Sequence, residues 1–330
     1  MPAVSPSEAE RPLVLVLDAG TSWVRAAIHD ALARPVEGWE ARRSHPTVYS
    51  DDGGVEKDPE NTLSLVVEVI DEVLAEAAGH SGRIVAVAMA VLASSLVGVD
   101  ASGRAVSPLY LYSDTRPSAE VEVLRQRLDE ERLHQRTGCR IHTSYLPVRF
   151  LWLALSQPAV SRASERWMAL PDFIYSRLLG RTTCSLSIAS WSGLLDGSSL
   201  NWDQELLQTL QVDAQRLTAI GEEPIEGLIE PFASRWPDLA RVPWFPAYAD
   251  GAASNAGSGC VTPDTVALSL STTGALRTVA ATPPVDLPMS LWRYQLDAHR
   301  ALVGGAINEG GGLIRWANRI LKSGEASDPA

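Results

Sequence analysis

The sequence LVLVLDAGTSWVRAAIHD (residues 13–30) contains two strand patterns joined by a short turn. Residues 13–18 are rich in Val and Leu and end at Asp18, and residues 23–30 alternate apolar with polar or bulky side chains. Such alternation is typical of β-strands that bury one face. We therefore predict a β-hairpin with Gly20 in its turn.

The segments after this hairpin predict an α/β domain. Apolar residues from Asn61 onwards fall on one face of a helix that closes near Gly79, and residues 84–91 form an apolar run of strand length. A hairpin, a helix and a buried strand in this order begin an α/β domain. Further helical patterns cover residues 119–136, 146–155, 161–178 and 203–211.

The composition is that of an ordinary soluble globular protein. The chain has 330 residues, 45% hydrophobic and 21% charged, which is enough for two domains. A formal net charge of −12 repels phosphate backbones, so we expect no nucleic-acid partner. The first residues lack a signal-peptide pattern, and no stretch is long and apolar enough to span a bilayer. We expect a cytoplasmic protein without a membrane partner.

The cysteines and histidines show no spacing typical of a metal site. Three cysteines and six histidines are scattered along the chain without paired motifs. Cys139, Cys184 and Cys260 are therefore expected to be reduced, structural thiols.

The turn DAGTS (18–22) has the residue types that bind phosphate. Gly20 leaves backbone N–H groups free, Thr21 and Ser22 add hydroxyl donors, and Asp18 can hold a divalent cation directly or through water. Glycine and threonine also occur in ordinary hairpin turns for reasons of geometry, so a purely structural turn remains the alternative.

A second turn of this type follows the strand-like run VALSL (266–270). In STTG (271–274), Thr272 and Thr273 offer hydroxyl donors and Gly274 permits the turn. Two phosphate-binding turns on opposing domains would clamp a nucleotide between them.

Asp250 opens a run of small residues in FPAYADGAASNAGSG (245–259). Small neighbours let a substrate hydroxyl and a phosphate approach this carboxylate closely. Phosphoryl transfer to an alcohol needs little covalent help from the protein, but it does need a base for the hydroxyl proton. The alternative is a solvent-facing Asp at a turn.

Asp114 and Arg116 follow an apolar run in PLYLYSDTRP (108–117). A loop here could present one acceptor and one forked donor to a polyhydroxylated ligand, and a guanidinium would suit a sugar acid because it binds carboxylate through two hydrogen bonds. The competing interpretation is a helix start, with Asp114 near the N-terminus and Arg116 exposed.

In combination and order, these segments resemble the FGGY family of carbohydrate kinases. The similar elements are, in chain order, a first phosphate motif, a glycine–acidic–proline element, a sugar-contacting D-x-R, an A-S-x-[ST]-G element, a catalytic-base motif and a second phosphate motif. The first phosphate motif is similar at Asp18, Gly20, Thr21, Ser22 and Arg25, and the glycine–acidic–proline element at Gly53, Glu56, Asp58 and Pro59. The D-x-R element is Asp114 and Arg116, and the A-S-x-[ST]-G element is Ala189, Ser190, Ser192 and Gly193. The catalytic-base motif is Asp250 and Gly251, and the second phosphate motif is Thr272, Thr273 and Gly274. Residues 108–116 and 187–196 look closest to the gluconate-kinase-like branch.

The resemblance implies an α/β protein with the actin-like ATPase (ribonuclease-H-like) fold, in which two domains enclose a cleft. It divides the chain into a disordered N-terminus (1–11), a sugar-binding N-terminal domain (12–245) and the start of a C-terminal domain (246–330). Family members continue past this C-terminus into a segment that holds the adenosine. We therefore expect an incomplete second domain.

The resemblance also implies ATP-dependent phosphorylation of a hydroxyl on a sugar or sugar acid, gluconate-like or a ketopentose. Asp250 would accept the proton, Asp114, Arg116 and Ser94 would contact the substrate, and Asp18 would hold Mg²⁺. Ser94 stands where the family often has a His that reaches the sugar. A homodimer is compatible with this assignment.

Three alternatives remain at this stage. The chain is a catalytically impaired or inactive sugar-binding remnant, because the adenosine segment is missing; or its other half is encoded separately; or it is an actin-like ATPase of the chaperone or filament type. The last of these would not need the D-x-R element.

Overall fold

The computed structural model describes residues 2–79, 84–270, 274–281, 286–307, 316, 317 and 320. Its strands are β1 (Leu13–Ala19), β2 (Trp23–His29), β3 (Pro35–Ser44), β4 (Val48–Tyr49), β5 (Val55–Lys57), β6 (Ile84–Val91), β7 (Val97–Val99), β8 (Leu109–Tyr110), β9 (Arg166–Met168), β10 (Leu195–Asp196), β11 (Asn201–Trp202), β12 (Tyr248–Ala249), β13 (Val266–Leu270), β14 (Gly274–Ala281), β15 (Trp292–Gln295) and β16 (Arg300–Ile307).

The helices are α1 (Pro59–Glu76), α2 (Ser118–Arg127), α3 (Glu130–Thr137), α4 (Leu146–Ser156), α5 (Pro158–Ala163), α6 (Leu170–Leu179), α7 (Leu186–Trp191), α8 (Gln204–Leu210), α9 (Phe232–Arg235) and α10 (Asp250–Gly257). In the part of the chain that the structure describes, no helix has the length and apolar character needed to cross a bilayer.

The central sheet has the strand order β12-β6-β1-β2-β3. β1 and β2 form the predicted antiparallel hairpin, with Leu15 opposite Ile28, and β3 extends it on the far side of β2. β6 pairs in parallel with β1 on one side and with β12 on the other. The predicted hairpin and the predicted strand at 84–91 are confirmed.

Helix α1 covers one face of this sheet. Asp58 accepts hydrogen bonds from the N–H groups of Glu60 and Asn61, and Pro59 occupies the first turn, where its missing N–H costs nothing. The apolar stripe of α1 packs on β2 and β3, so these side chains are removed from water. The buried residues are Leu63, Val66, Val69, Ile70 and Val73.

A second, antiparallel sheet has the order β13-β14-β16-β15. β15 attaches it to the first part of the chain: the N–H of Arg293 donates to the carbonyl of Gly138 (3.0 Å), and the N–H of Gln295 donates to the hydroxyl of Ser190 (3.0 Å). Nearby, the ring Nε2–H of buried His134 donates to the carbonyl of Leu291 (2.8 Å). These bonds fix the second sheet against α3 and α7.

Two helical predictions were too long. The pattern at 119–136 is broken into α2 and α3, because Leu128 is extended and Asp129 caps the second helix through the N–H of Arg132 (3.0 Å). The pattern at 161–178 is interrupted by β9, which pairs with β7. Tertiary pairing has overridden helical periodicity in this segment.

The N-terminus was also predicted incorrectly. Residues 2–11 are ordered, and Val4 is 7% exposed. Its N–H donates to the carbonyl of Pro35 (2.9 Å), and its carbonyl accepts from the N–H of Glu37 (2.9 Å). Extended pairing against β3 therefore replaces the expected disorder.

Gly138 tests the attachment of the second sheet. It ends α3 at φ +73°, and a Cβ there would lie 2.3 Å from the carbonyl oxygen of Arg293. We expect Gly138→Ala to cost about 1 kcal/mol for the left-handed backbone and roughly 1–3 kcal/mol more for the displaced strand. Urea denaturation of Gly103→Ala is the matched control, because Gly103 has φ +77° but open space around its Cβ position. Equal losses in the two variants would contradict the attachment through β15.

Candidate active site

The carboxyl ends of three parallel strands meet at one edge of the central sheet. Asp18 in β1 and Tyr248 in β12 both pair with Ala90 of β6, so the three strands end side by side. Ligands bind at this edge in open α/β sheets. The residues just beyond the strand ends include Ser94 and Asp250.

A cavity of about 690 Å³ opens at this edge and is closed on its other side by the second sheet. Ser94, Tyr112 and Asp250 line it from the first part of the chain, and Trp292 and Tyr294 line it from β15. This volume is within the usual range for a small-molecule site. The structure thus joins Asp250 and Ser94, two of the predicted site residues, in one cavity.

Asp250 is the first residue of α10, whereas the sequence had predicted a turn. The residue is exposed to the cavity, and the one hydrogen bond to its carboxylate from the described residues comes from the N–H of Gly251 (2.7 Å). Burial among cavity walls raises its pKa, the Asp18 carboxylate raises it further, and Gly251 and Arg277 act in the opposite direction. Asp250 is therefore a carboxylate with spare acceptor capacity and elevated basicity.

Gly251 brings the start of α10 close to an aromatic ring. A Cβ on Gly251 would lie 2.7 Å from Cη2 of Trp191, so the absence of a side chain is required at this position. Trp191 stacks on Tyr294, with ring centroids 3.9 Å apart, and Tyr294 stacks on Trp292 at 4.6 Å. These three rings form an aromatic wall beside Asp250.

Two buried side chains donate hydrogen bonds to carbonyl groups of the turn at 19–22. Nδ1–H of His45 donates to the carbonyl of Gly20 (2.8 Å), and Nζ of Lys57 donates to the carbonyl of Thr21 (2.8 Å). Burial lowers the pKa of His45 to about 4, so its ring is neutral at pH 7. The hydroxyls of Thr21 and Ser22 make no hydrogen bond with any residue that the structure describes, and they remain free for a ligand.

Asp18 stands at the start of this turn. Burial raises the pKa of its carboxyl, and Arg25, opposite it in β2, lowers it. Asp18 does not line the cavity, but it pairs with the same β6 residue, Ala90, as Tyr248 two positions before Asp250, and its charge raises the pKa of Asp250. A carboxylate pair of this kind suits a divalent cation that takes one protein ligand and completes its shell with water and phosphate oxygens. No cluster of three or more His, Cys, Asp or Glu side chains suited to a metal occurs among the described residues.

Ser94 is in the left-handed region at φ +53° and lines the cavity. Its hydroxyl donates to the carbonyl of Trp191. The proton of Ser94 is therefore committed to the protein, and the hydroxyl oxygen can only accept from a ligand.

Asp114 and Arg116, the predicted sugar contacts, bind each other in the structure. Asp114 is fully buried and Arg116 binds it through Nε (3.0 Å) and Nη2 (2.5 Å), while Nη2 also binds Glu56 (2.5 Å). The buried guanidinium of Arg149 lies 3.4 Å from Asp114 as well. Neither Asp114 nor Arg116 lines the cavity, because the D-x-R element is used to neutralise a buried ion cluster.

The second predicted phosphate turn is only partly visible. Thr272 and Thr273 lie outside the described residues. Gly274 is buried as the first residue of β14, opposite Leu270 of β13.

Sequence reasoning missed the cavity residues on the second sheet. Arg277 in β14 points towards Asp250 and the Trp292 ring, with its Nη1 on the hydroxyl of Ser269 (2.9 Å). Burial lowers the pKa of Arg277, and Asp250 raises it. Its proximity to Asp250 depends on the long-range docking of β15. The alternation of Trp292 and Tyr294 does place two aromatics on one strand face, and this was the available signal.

Comparisons with known proteins agree with this arrangement. A family model described as "FGGY family of carbohydrate kinases, N-terminal domain" matches residues 13–257. The gluconokinase of Bacillus subtilis is 21% identical over 319 residues, covering 94% of this chain and 60% of that protein.

Solved structures share the fold. Gluconate kinase from Lactobacillus acidophilus superposes with a TM-score of 0.88 at 23% identity, covering 96% of this chain and 63% of that one. Plasmodium falciparum glycerol kinase with ADP gives a TM-score of 0.84 at 15% identity, covering 97% and 64%. The predicted actin-like fold is confirmed. The chain spans about 60% of the length of the gluconokinase that it matches.

The His45 contact makes stability depend on pH. The pKa of His45 is 6.5 in the unfolded chain and about 4 in the folded chain, so between these pH values the unfolded state binds more protons. The contribution of His45 to the free energy of unfolding is fully present above pH 6.5 and is lost as the pH falls towards 4. It amounts to about 3 kcal/mol at 1.36 kcal/mol per pKa unit. His45→Asn retains an N–H for Gly20 but does not titrate, so its unfolding free energy should fall less between about pH 7 and pH 4.5.

Urea denaturation at the two pH values measures this difference. His299→Asn is the control, since His299 is exposed, and it should retain the wild-type pH dependence. The same pH dependence in His45→Asn and wild type would contradict the assignment.

Proposed function

The chain belongs to the FGGY family of carbohydrate kinases, and from this premise we propose that it phosphorylates a hydroxyl of a sugar or sugar acid, gluconate-like or a ketopentose, with ATP as donor. The observation that carries the proposal is Asp250: a carboxylate of raised pKa, open to a cavity and bonded only to its own Gly251 among the described residues. A buried structural aspartate would have more partners.

Asp250 is proposed as the general base. A carboxylate accepts the hydroxyl proton as the oxygen attacks, and its raised pKa makes Asp250 a stronger base for that transfer. Gly251 supports this role, because its missing side chain lets the carboxylate and the Trp191 ring face the same space.

Asp18 and the turn at 19–22 are proposed to hold the phosphates. ATP would supply the phosphoryl group, and Mg²⁺ would neutralise charge on its oxygens. The free hydroxyls of Thr21 and Ser22 and the amides beside Gly20 are donors for phosphate, and Asp18 is the protein ligand for the cation. Arg25 opposes Asp18 across the hairpin and limits repulsion between carboxylate and phosphate. Thr272, Thr273 and Gly274 are proposed as the second turn.

Asp114 and Arg116 are proposed as positioning residues. Their ion pair fixes the loop that begins at Leu111, where the N–H of Asp114 donates to the Leu111 carbonyl (3.1 Å). That loop carries Tyr112 into the cavity. Ser94 is proposed to accept a hydrogen bond from the substrate. We also propose the domain division at residues 245 and 246, just before β12.

Asp250→Asn tests the base. The amide keeps the shape but cannot accept the proton, so kcat should fall about 10²- to 10⁴-fold with little change in stability. A coupled ADP-release assay over gluconate, xylulose, ribulose and glycerol measures the loss. Asp51→Asn is the control, because Asp51 is exposed on a turn and is not among the residues that line the cavity.

Wild-type turnover in Asp250→Asn would end the assignment of the base. Calorimetry with ATP and with each sugar separates the alternative: sugar binding without nucleotide binding or turnover in the wild type would favour a catalytically inactive sugar-binding protein.

Arg277 is expected to set the pH dependence of this base. Its positive charge lowers the pKa of Asp250, so Arg277→Gln should raise that pKa and move the acidic limb of the kcat/KM profile to higher pH. Arg277→Lys retains the charge and should restore part of the shift. An unchanged acidic limb in Arg277→Gln would show that Arg277 does not act on Asp250.

A further inference from the structure

A basic group of side chains lies in the wall of the cavity that contains Asp250. It consists of Arg125 at the end of α2 and of Arg140 and His142 in the loop after α3. We propose that this group, with Arg140 as its principal member, binds the carboxylate of a polyhydroxylated acid whose hydroxyl faces Asp250. Phosphorylation of that hydroxyl rests on the proposed function, whereas the contact between Arg140 and the carboxylate does not.

Ion pairing within the group leaves the Arg140 guanidinium available. Glu130 uses one oxygen to accept from Nε of Arg125 (2.9 Å) and the other to accept from the N–H of Ile141 (2.9 Å). Nε of Arg140 lies 3.8 Å from Glu130, too far for a hydrogen bond, and its Nη groups have no partner in the part of the chain that the structure describes. Arg125 also lies 3.8 Å from Glu122, so the acidic neighbours are placed mainly around Arg125, and neither Glu122 nor Glu130 lines the cavity.

His142 adds a neutral donor next to these charges. Its Nδ1 accepts from the N–H of Ser144 (3.2 Å), which assigns the ring proton to Nε2. Burial and the charges of Arg140 and Arg125 lower the pKa of His142, so the ring is neutral at pH 7. An Nε2–H beside a guanidinium is a suitable pair of donors for the two oxygens of a carboxylate.

An aromatic path connects the basic group with Asp250. The His142 and Tyr145 rings are 6.5 Å apart, the hydroxyls of Tyr145 and Tyr294 are hydrogen-bonded (2.5 Å), and Tyr294 stacks on Trp191 at 3.9 Å. Trp191 in turn packs against Gly251. These packed rings form the cavity wall between the basic group and Asp250.

The charge of the cavity differs from that of the whole chain. The sequence has a formal net charge of −12, yet among the described lining residues Arg125, Arg140 and Arg277 accompany Asp250 as the only carboxylate. This local excess of positive charge attracts an anion to a protein that otherwise repels it. A neutral polyol could accept hydrogen bonds from Arg140, but it would lack the charge-assisted contact through two oxygens that a carboxylate makes.

Binding of two matched ligands tests the proposal. Gluconate and glucitol have the same carbon chain, but glucitol carries a hydroxymethyl group in place of the carboxylate. Calorimetry without nucleotide should show wild-type protein binding gluconate more tightly, and Arg140→Gln should weaken gluconate about ten- to a hundredfold while leaving glucitol unchanged. Arg140→Lys should restore part of the preference, and the exposed Arg162→Gln in α5 is the control.

Equal affinities of the wild type for the two ligands, or unchanged gluconate binding in Arg140→Gln, would overturn the proposal. Failure of the proposed function is a separate result: Arg140-dependent gluconate binding with no ADP release from any sugar would retain the carboxylate contact and reject kinase activity. Phosphorylation of neutral sugars with no preference for the acid would retain kinase activity and reject the carboxylate contact.

Discussion

Parallel pairing of β6 with both β1 and β12 is the constraint on which the candidate site depends. This pairing brings Asp18 and the start of α10 to the same edge of the central sheet, although Asp18 and Asp250 are 232 positions apart in the sequence. Each carboxylate alone would be an ordinary solvated side chain. At adjacent strand ends beside the cavity, burial raises the pKa of both carboxyls, and the Asp18 carboxylate raises that of Asp250 further.

The second sheet turns this open edge into an enclosed site. Its attachment through β15 uses backbone N–H groups of Arg293 and Gln295, which would otherwise be unsatisfied donors at a buried interface. The same strand carries Trp292 and Tyr294 to the cavity. Docking of the second sheet and formation of the cavity wall therefore depend on the same strand.

Much of the fold could be predicted from the sequence, because periodicity reports burial directly. The hairpin at 13–30 and helix α1 follow from alternating or helical apolar spacing together with Gly20, Pro59 and Gly79. Where tertiary pairing decides, periodicity fails: β9 interrupts a helical pattern because it pairs with β7. The D-x-R element shows the same limit for function, since its residue types suit a ligand or a buried ion cluster equally, and only packing around Asp114 distinguishes them.

The distribution of arginines follows from the same physical argument. Arg116 and Arg149 are both paired with the buried Asp114. Arg277 faces Asp250, and its charge lowers the pKa of that carboxyl against the larger effect of burial. Arg140 is left with only a distant acidic neighbour. A guanidinium cannot discharge by losing its proton, so each one at a cavity wall must find a carboxylate, a phosphate or water. Because Arg140 lines the cavity with no carboxylate at hydrogen-bond distance among the described residues, it is the arginine that we propose for the anionic group of the ligand.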